Sequence, residues 1–163
     1  MKIGIISDTH DNIKNIEKSM AIFNDRKVSL VLHAGDYINV KAVETFQGIK
    51  VIGVLGNNDV NVTELCDTFN RIGGELKGEV CETEHDGIKF AVYHGTLANR
   101  KKSLILSKKY DVVVCGHTHK LEMIKIGRTI VLNPGTANGW FFGYKATIAI
   151  FNTQNKQCEF INL

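Results

Sequence analysis

Residues Asp111 to His119, DVVVCGHTH, constrain the fold more than any other stretch of the chain. Three consecutive valines followed by Cys115 and Gly116 cannot lie half exposed without cost, so the run belongs inside a sheet covered on both faces. The small-residue turn at its carboxyl end then lifts His117 and His119 out of the strand. Imidazole is the commonest protein ligand for transition metals, and two of them at the lip of a rigid strand point to a metal site. A His-x-His pair alone is also what two exposed turn residues look like. The other strand ends decide between these readings.

Lys2 to Ile6 is an apolar run that leads into Ser7-Asp8-Thr9-His10. Asp8 and His10 are one residue apart, which puts both side chains on one side if strand geometry persists through them. Asp11 or Asn12 can cap a helix with Ile13, Ile16, Met20 and Phe23 at helical spacing, ending near Arg26. Val28 to Leu32 is a second buried strand, followed by His33-Ala34-Gly35-Asp36. A short helix through Val43 and Phe46 closes at Gly48, and Lys50 to Leu55 is a third strand running into Gly56-Asn57-Asn58-Asp59. Strand, helix, strand, helix, strand predicts right-handed parallel crossovers.

The pattern then changes. A helix is predicted over 62–72 with Leu65 and Phe69 on one face, and Asp86-Gly87 suits a type I′ turn between strands 80–85 and 88–93. The second arm ends at His94-Gly95. A helix from about Leu97 to Lys109 leads into the valine run, and strand-like stretches over 121–126, 129–132, 146–152 and 157–163 predict an antiparallel meander. The only proline, Pro134, is read as a turn residue.

A chain of 163 residues suffices for one well-buried core, so a single domain over 1–163 is expected. The longest apolar runs fall far short of the roughly 20 residues of a membrane span. The opening residues run straight into a motif and read as a core strand instead of a signal peptide, so a cytoplasmic location is expected. Cys66, Cys81, Cys115 and Cys158 form no close pair, which argues against a zinc cage or a disulfide framework. A net charge of +3 points to no extended nucleic-acid surface and is compatible with a small anionic substrate.

Each buried strand is thus followed by candidate ligands: Asp8 and His10, Asp36, Asn57, His94, then His117 and His119. Four of the six histidines fall at these ends, far more than scatter would place there. Ligands bind at the carboxyl ends of strands in open α/β sheets. In order and approximate spacing, Asp8-Thr9-His10, Gly35-Asp36, Gly56-Asn57-Asn58-Asp59, His94-Gly95 and Gly116-His117-Thr118-His119 resemble the motifs of the calcineurin-like metallophosphoesterase superfamily, in its small single-domain archaeal and bacterial phosphodiesterase branch. The resemblance covers Met1 to about Thr136.

That resemblance implies an α/β (α+β) fold, a four-layer α-β-β-α sandwich of two mixed sheets with the metal site at the strand carboxyl ends. It implies two divalent ions, manganese first, with nickel, iron or zinc as alternatives. Asp8, His10, Asp36 and His119 would hold one; Asp36, Asn57, His94 and His117 the other, with Asp36 bridging. Asn57, Asp36 and His94 carry the implied catalytic role. The implied reaction is hydrolysis of a small phosphate ester, foremost a phosphodiester, by in-line attack of a metal-bridging hydroxide. Histidine and asparagine are neutral ligands, so two divalent ions outweigh the two carboxylates and the site attracts an anion. The rival readings are a phosphomonoesterase or nuclease on the same site, or a scaffold that kept the fold and lost the chemistry. Scaffolds of that kind lack ligands, and this chain lacks none. A large nucleic-acid substrate is disfavoured by the small size, and a homodimer is open.

One position departs from the pattern. Larger members carry a histidine after the motif asparagine, to protonate the leaving group; here that residue is Asn58, and an amide cannot be a general acid at neutral pH. Asp59 is expected to hydrogen-bond a ligand histidine. His33 is either a partner of the site or, in the favoured reading, a satisfied core residue, and His85 is expected to be exposed and idle. Arg100, Lys101 and Lys102 either steer an anion or, in the favoured reading, form a solvated helix face. The aromatic cluster Trp140, Phe141, Phe142 and Tyr144 could wall a pocket, form a dimer contact or pack on neighbouring strands.

Overall fold

The computed structural model describes residues 1–139 and 143–163. In chain order its elements are β1 (Lys2–Ile6), α1 (Ile13–Asp25), β2 (Leu30–His33), α2 (Val40–Glu44), β3 (Val51–Gly53), α3 (Val62–Arg71) and β4 (Glu75–Leu76). They continue as β5 (Val80–His85), β6 (Ile88–Tyr93), α4 (Ala98–Leu106), β7 (Val112–Val114), β8 (Leu121–Ile126), β9 (Thr129–Pro134), β10 (Thr147–Asn152) and β11 (Gln157–Asn162). One sheet runs β11-β10-β1-β2-β3-β4 and the other β5-β6-β7-β9-β8. Both are mixed: β1 to β4 are parallel with an antiparallel β10–β11 flank, and β6, β7 and β9 are parallel between antiparallel edges.

Alternation along the strands builds the layers. Ile3 and Ile5 of β1, with Leu32, meet Phe90, Val92, Val112 and Val114 in an apolar layer between the sheets. Ile6 faces the other way, with Phe23, Phe46 and Phe69, under α1, α2 and α3. Gly4 lets α1 sit closely, because a β-carbon there would lie 2.8 Å from the Phe23 ring. Ala91, Val113 and Val131 pack beneath Ile105 of α4. The result is the expected α-β-β-α sandwich.

Asn12, one of the two cap candidates, is the N-cap of α1, and its side chain accepts the Asn15 N–H at 3.2 Å. Asp86 and Gly87 both have positive φ, as a type I′ hairpin requires. The predicted meander is not formed. β8–β9 closes the second sheet with β9 parallel to β7, whereas β10–β11 returns to the first sheet beside β1. Period-two alternation fits a strand to either sheet, so it could not choose between them. Pro134 is the last residue of β9 instead of a turn residue, opposite Leu121, and its carbonyl accepts from the Thr147 hydroxyl at 2.7 Å. The two-residue β4 was not predicted, being too short to show a period.

Candidate metal centre

The parallel strands of both sheets end at one rim. Ile6, His33 and Gly53 are in register at the ends of β1, β2 and β3, as are Val92 and Val114 at the ends of β6 and β7. The first sheet therefore delivers Asp8, His10, Asp36 and Asn57, and the second His94, His117 and His119. Asp8, Asp36 and His94 form a buried floor; His10 and His119 are half-buried; Asn57 and His117 are exposed at the mouth.

Strand geometry does not persist through Asp8 and His10, so the condition for placing both side chains on one side by alternation is not met. β1 stops at Ile6, and Asp8 and His10 have φ of 52° and 41°. Asp36, His117 and His119 share this left-handed region, so five of the seven predicted ligands do. Asp and His tolerate it better than most residues, but it costs free energy that the surroundings must supply. They do so by lacing the loops together: Asp8 N–H donates to Gly35 O at 3.0 Å and His10 N–H to Asp36 O at 3.1 Å. Two glycines leave room for the carboxylates. A β-carbon at Gly116 would lie 2.6 Å from Asp8 Oδ2, and one at Gly56 would collide with Asp36 Oδ1.

Donor atoms converge in two groups. His119 Nε2 is 3.2 Å from Asp8 Oδ1 and 3.4 Å from His10 Nε2, which is 3.6 Å from Asp36 Oδ2 and 3.9 Å from Asp8 Oδ1. His94 Nε2 is 3.5 Å from Asp36 Oδ2, 3.1 Å from Asn57 Oδ1 and 4.0 Å from Asp8 Oδ1. Bonds of about 2.0–2.2 Å to a tetrahedral ion would separate its ligands by about 3.3–3.6 Å, so the spacing fits. His94 Nδ1–H donates to the Ala34 carbonyl at 2.7 Å. Its Nε2 and Asn57 Oδ1 then face each other with lone pairs, an arrangement a cation satisfies. Asp8 reaches toward both groups. His117 lines the same cleft with its ring edge-on to His94, centroids 5.1 Å apart.

A second set of residues holds the loops. Asp59 does not bind a histidine, as was expected. Its Oδ1 accepts the N–H groups of Tyr37 and Ile38 at 2.7 and 3.0 Å, and its Oδ2 those of Asp36 and Gly56 at 2.8 and 2.7 Å. The positive φ of the Asp36 loop turns these amides inward, and Asp59 is the acceptor within their reach. Residues 133–138, of which only the stretch around Pro134 is read from sequence as a turn, back the site. The Asn133 amide donates to Gly116 O at 2.9 Å, and the Thr136 hydroxyl to Asp8 O at 2.9 Å. No metal-ligand signature could have found them; Asn-Pro-Gly-Thr beside a strand end was the available hint.

Residues 1–156 match the Calcineurin-like phosphoesterase superfamily domain. A phosphodiesterase from Methanocaldococcus jannaschii is 36% identical over 160 residues, 96% of each chain. The chain belongs to the calcineurin-like phosphoesterase superfamily. A solved archaeal phosphodiesterase superposes with a TM-score of 0.94 at 35% identity, over 100% of both chains. A Vps29 from Chaetomium thermophilum shares the fold, with a TM-score of 0.76 at 15% identity over 100% of this chain and 96% of its own. Membership of this superfamily implies divalent metal ions, which the donor geometry accommodates.

The electrostatics of the calcineurin-like rim follow from burial and pairing. Burial pushes the Asp8 carboxyl up, but His119, His94 and the Ser7 hydroxyl outweigh it and hold it below the usual carboxylate range. The hydrogen bond to Asp8 raises the His119 imidazole, and partial burial with neighbouring His94 lowers that of His117. His33 is a satisfied core residue, as favoured. Its Nδ1 accepts the Gly35 N–H at 3.1 Å, its Nε2 meets the Thr9 hydroxyl at 3.3 Å, and burial drives its pKa down to about 3.

Other expectations fare variously. His85 is half-buried instead of exposed, because its Nε2 bonds the Thr83 hydroxyl across one face of the strand at 2.9 Å. Arg100 and Lys101 pair with Glu79 and Glu122, in keeping with a solvated face. Trp140, Phe141 and Phe142 lie outside the described residues, and Tyr144 is half-buried.

Proposed function

We propose that this protein is a two-metal phosphodiesterase in which residues 1–163 act as one domain. Asp8, His10, Asp36 and His119 would hold the first ion and Asp36, Asn57, His94 and His117 the second. The observation that carries this reading is the position of Asp36 Oδ2, 3.6 Å from His10 Nε2 and 3.5 Å from His94 Nε2, where one oxygen serves both groups. The M. jannaschii relative, named a phosphodiesterase, supports the diester substrate. Bound divalent ions lower the pKa of coordinated water, orient the phosphoryl group and spread the charge of an in-line displacement. The nitrogen and oxygen donor set suits manganese first, then nickel, iron or zinc.

The chain's own residues fix that chemistry in place. Ala34 O holds His94 in one tautomer, and Asp59 holds the loop that presents Asp36. Asn58 donates to both oxygens of Asp36, at 3.0 Å through its N–H and 2.7 Å through its amide. It offers no proton to a leaving group, so good leaving groups are favoured. The cleft above the donors, about 370 Å³, suits a small ester and not a nucleic-acid duplex. No helix among the described residues is long and apolar enough to cross a membrane, and we place the enzyme in the cytoplasm.

The test is hydrolysis of bis-p-nitrophenyl phosphate by chelator-stripped protein before and after manganese or nickel, paired with metal analysis. Stripped protein is expected to be inactive and reloaded protein active, with two ions per chain. Reloaded protein no faster than Asp36→Ala overturns the reading in favour of a scaffold.

A further inference from the structure

We propose that a second cleft, beside Asn57, is the subsite for the ester group that stays on phosphorus during hydrolysis, and that it takes an uncharged, largely apolar alcohol or phenol. This rests on the phosphodiesterase reading above. The cleft, about 380 Å³, adjoins the metal cleft and shares Asn57 with it. Leu55, Val62, Tyr93 and Leu97 give it apolar walls. Val62 and Leu97 are 44% and 60% exposed, large apolar side chains left in water beside a polar rim. Exposed apolar surface next to convergent polar groups is the composition of a ligand site.

Charge narrows the ligand. Among the described residues the lining carries the carboxylates of Asp59 and Glu79 and no lysine or arginine. Asp59 commits its oxygens to four backbone amides, and Glu79 is ion-paired with Arg100, whose guanidinium lies over the Tyr93 ring at 5.5 Å. Arg100, the guanidinium beside the cleft, is already paired with Glu79, so a polyphosphate chain is disfavoured and an uncharged group accepted.

Direction decides which ester group enters. In an in-line displacement the attacking and leaving oxygens stand on opposite sides of phosphorus. With attack from the buried floor at the strand ends, the leaving group would depart toward solvent. The second cleft opens beside Asn57 and takes none of its lining from Asp8, His10, Asp36, His117 or His119, so we assign it the group that does not leave. A monoester has no such group. The cleft therefore favours diesters, by binding a part of the substrate remote from the broken bond.

Leu97→Asp and Val62→Asp test this. Leu97 is the N-cap of α4 and Val62 the first residue of α3, positions where aspartate favours a helix, so the fold is kept while the wall is charged. With manganese-loaded protein, the ratio of kcat/KM for bis-p-nitrophenyl phosphate to that for p-nitrophenyl phosphate is expected to fall about tenfold in either variant. By calorimetry, diphenyl phosphate is expected to bind the wild type about tenfold tighter than dimethyl phosphate, a gap that Leu97→Asp removes. An unchanged ratio in both variants, or no gap in the wild type, overturns the subsite. A gap that is present and lost in the variant, in protein that hydrolyses neither ester, upholds the subsite and overturns the diesterase reading alone.

Discussion

Asp59 is the residue whose loss should travel furthest. Its carboxylate accepts four backbone N–H groups, two on each oxygen, from Asp36, Tyr37, Ile38 and Gly56. Two of the residues it holds are strained: Asp36 has φ of 63° and the β-branched Ile38 has φ of 82°. Asp59→Asn keeps the shape but turns one oxygen into an NH2 group, so two of the four amides lose an acceptor and face a donor. Hydrogen bonds to a charged acceptor contribute about 1.5–3 kcal/mol each, so losing two in a buried site should cost about 3 kcal/mol of stability. Urea unfolding of metal-free protein in chelator measures this directly. The Asp36 loop also presents the carboxylate proposed to serve both ions, and manganese affinity by calorimetry should fall about 10- to 100-fold. A variant within about 0.5 kcal/mol of wild type and with unchanged affinity would refute the idea that Asp59 builds the loop.

Two further outcomes follow from named contacts. Asn58→His supplies the missing proton donor, so turnover of diesters with alkyl leaving groups should rise by about 100-fold or more, flattening the plot of rate against leaving-group pKa; an equally steep plot refutes it. His33 is buried neutral with a folded-state pKa of about 3, below the unfolded value, so its contribution to stability is present above pH 6.5 and is lost as pH falls toward 3. Between pH 7 and pH 4 the part lost amounts to about 3 kcal/mol, and metal-free His33→Gln should lose that much less stability on acidification than wild type, measured by urea midpoints at those two pH values.

The convergence of the candidate ligands was legible in the sequence because their chemistry is unusual and their position, just past an apolar run, is local information. Their conformation was not. Alternation through Asp8 and His10 held only on the condition that the strand continued, and it does not, since the left-handed turns after Ile6 depend on the Asp36 loop lying alongside. Asp59 was recognised as a supporting residue, but its partners are set by how two loops stack, which no spacing within Gly56-Asn57-Asn58-Asp59 encodes. The same limit explains the sheets. The faces of β8 to β11 could be read, but their pairing needed the inter-sheet core, where Phe151 of β10 meets Phe90 of β6 with centroids 5.7 Å apart.

The donor atoms are divided between two sheets that touch through an oily seam. Dispersion and the hydrophobic effect hold such a seam closed but have little grip on sliding. Coordination bonds tolerate only about 0.2 Å of error. The seam from Ile3 and Ile5 to Val92 and Val114 would therefore act as a gauge block, keeping the Asp36 half of the proposed cage aligned with the His94 half. Sequence drift there is limited by tolerance before it is limited by stability: one extra methyl group could leave the protein folded and its two half-cages out of true.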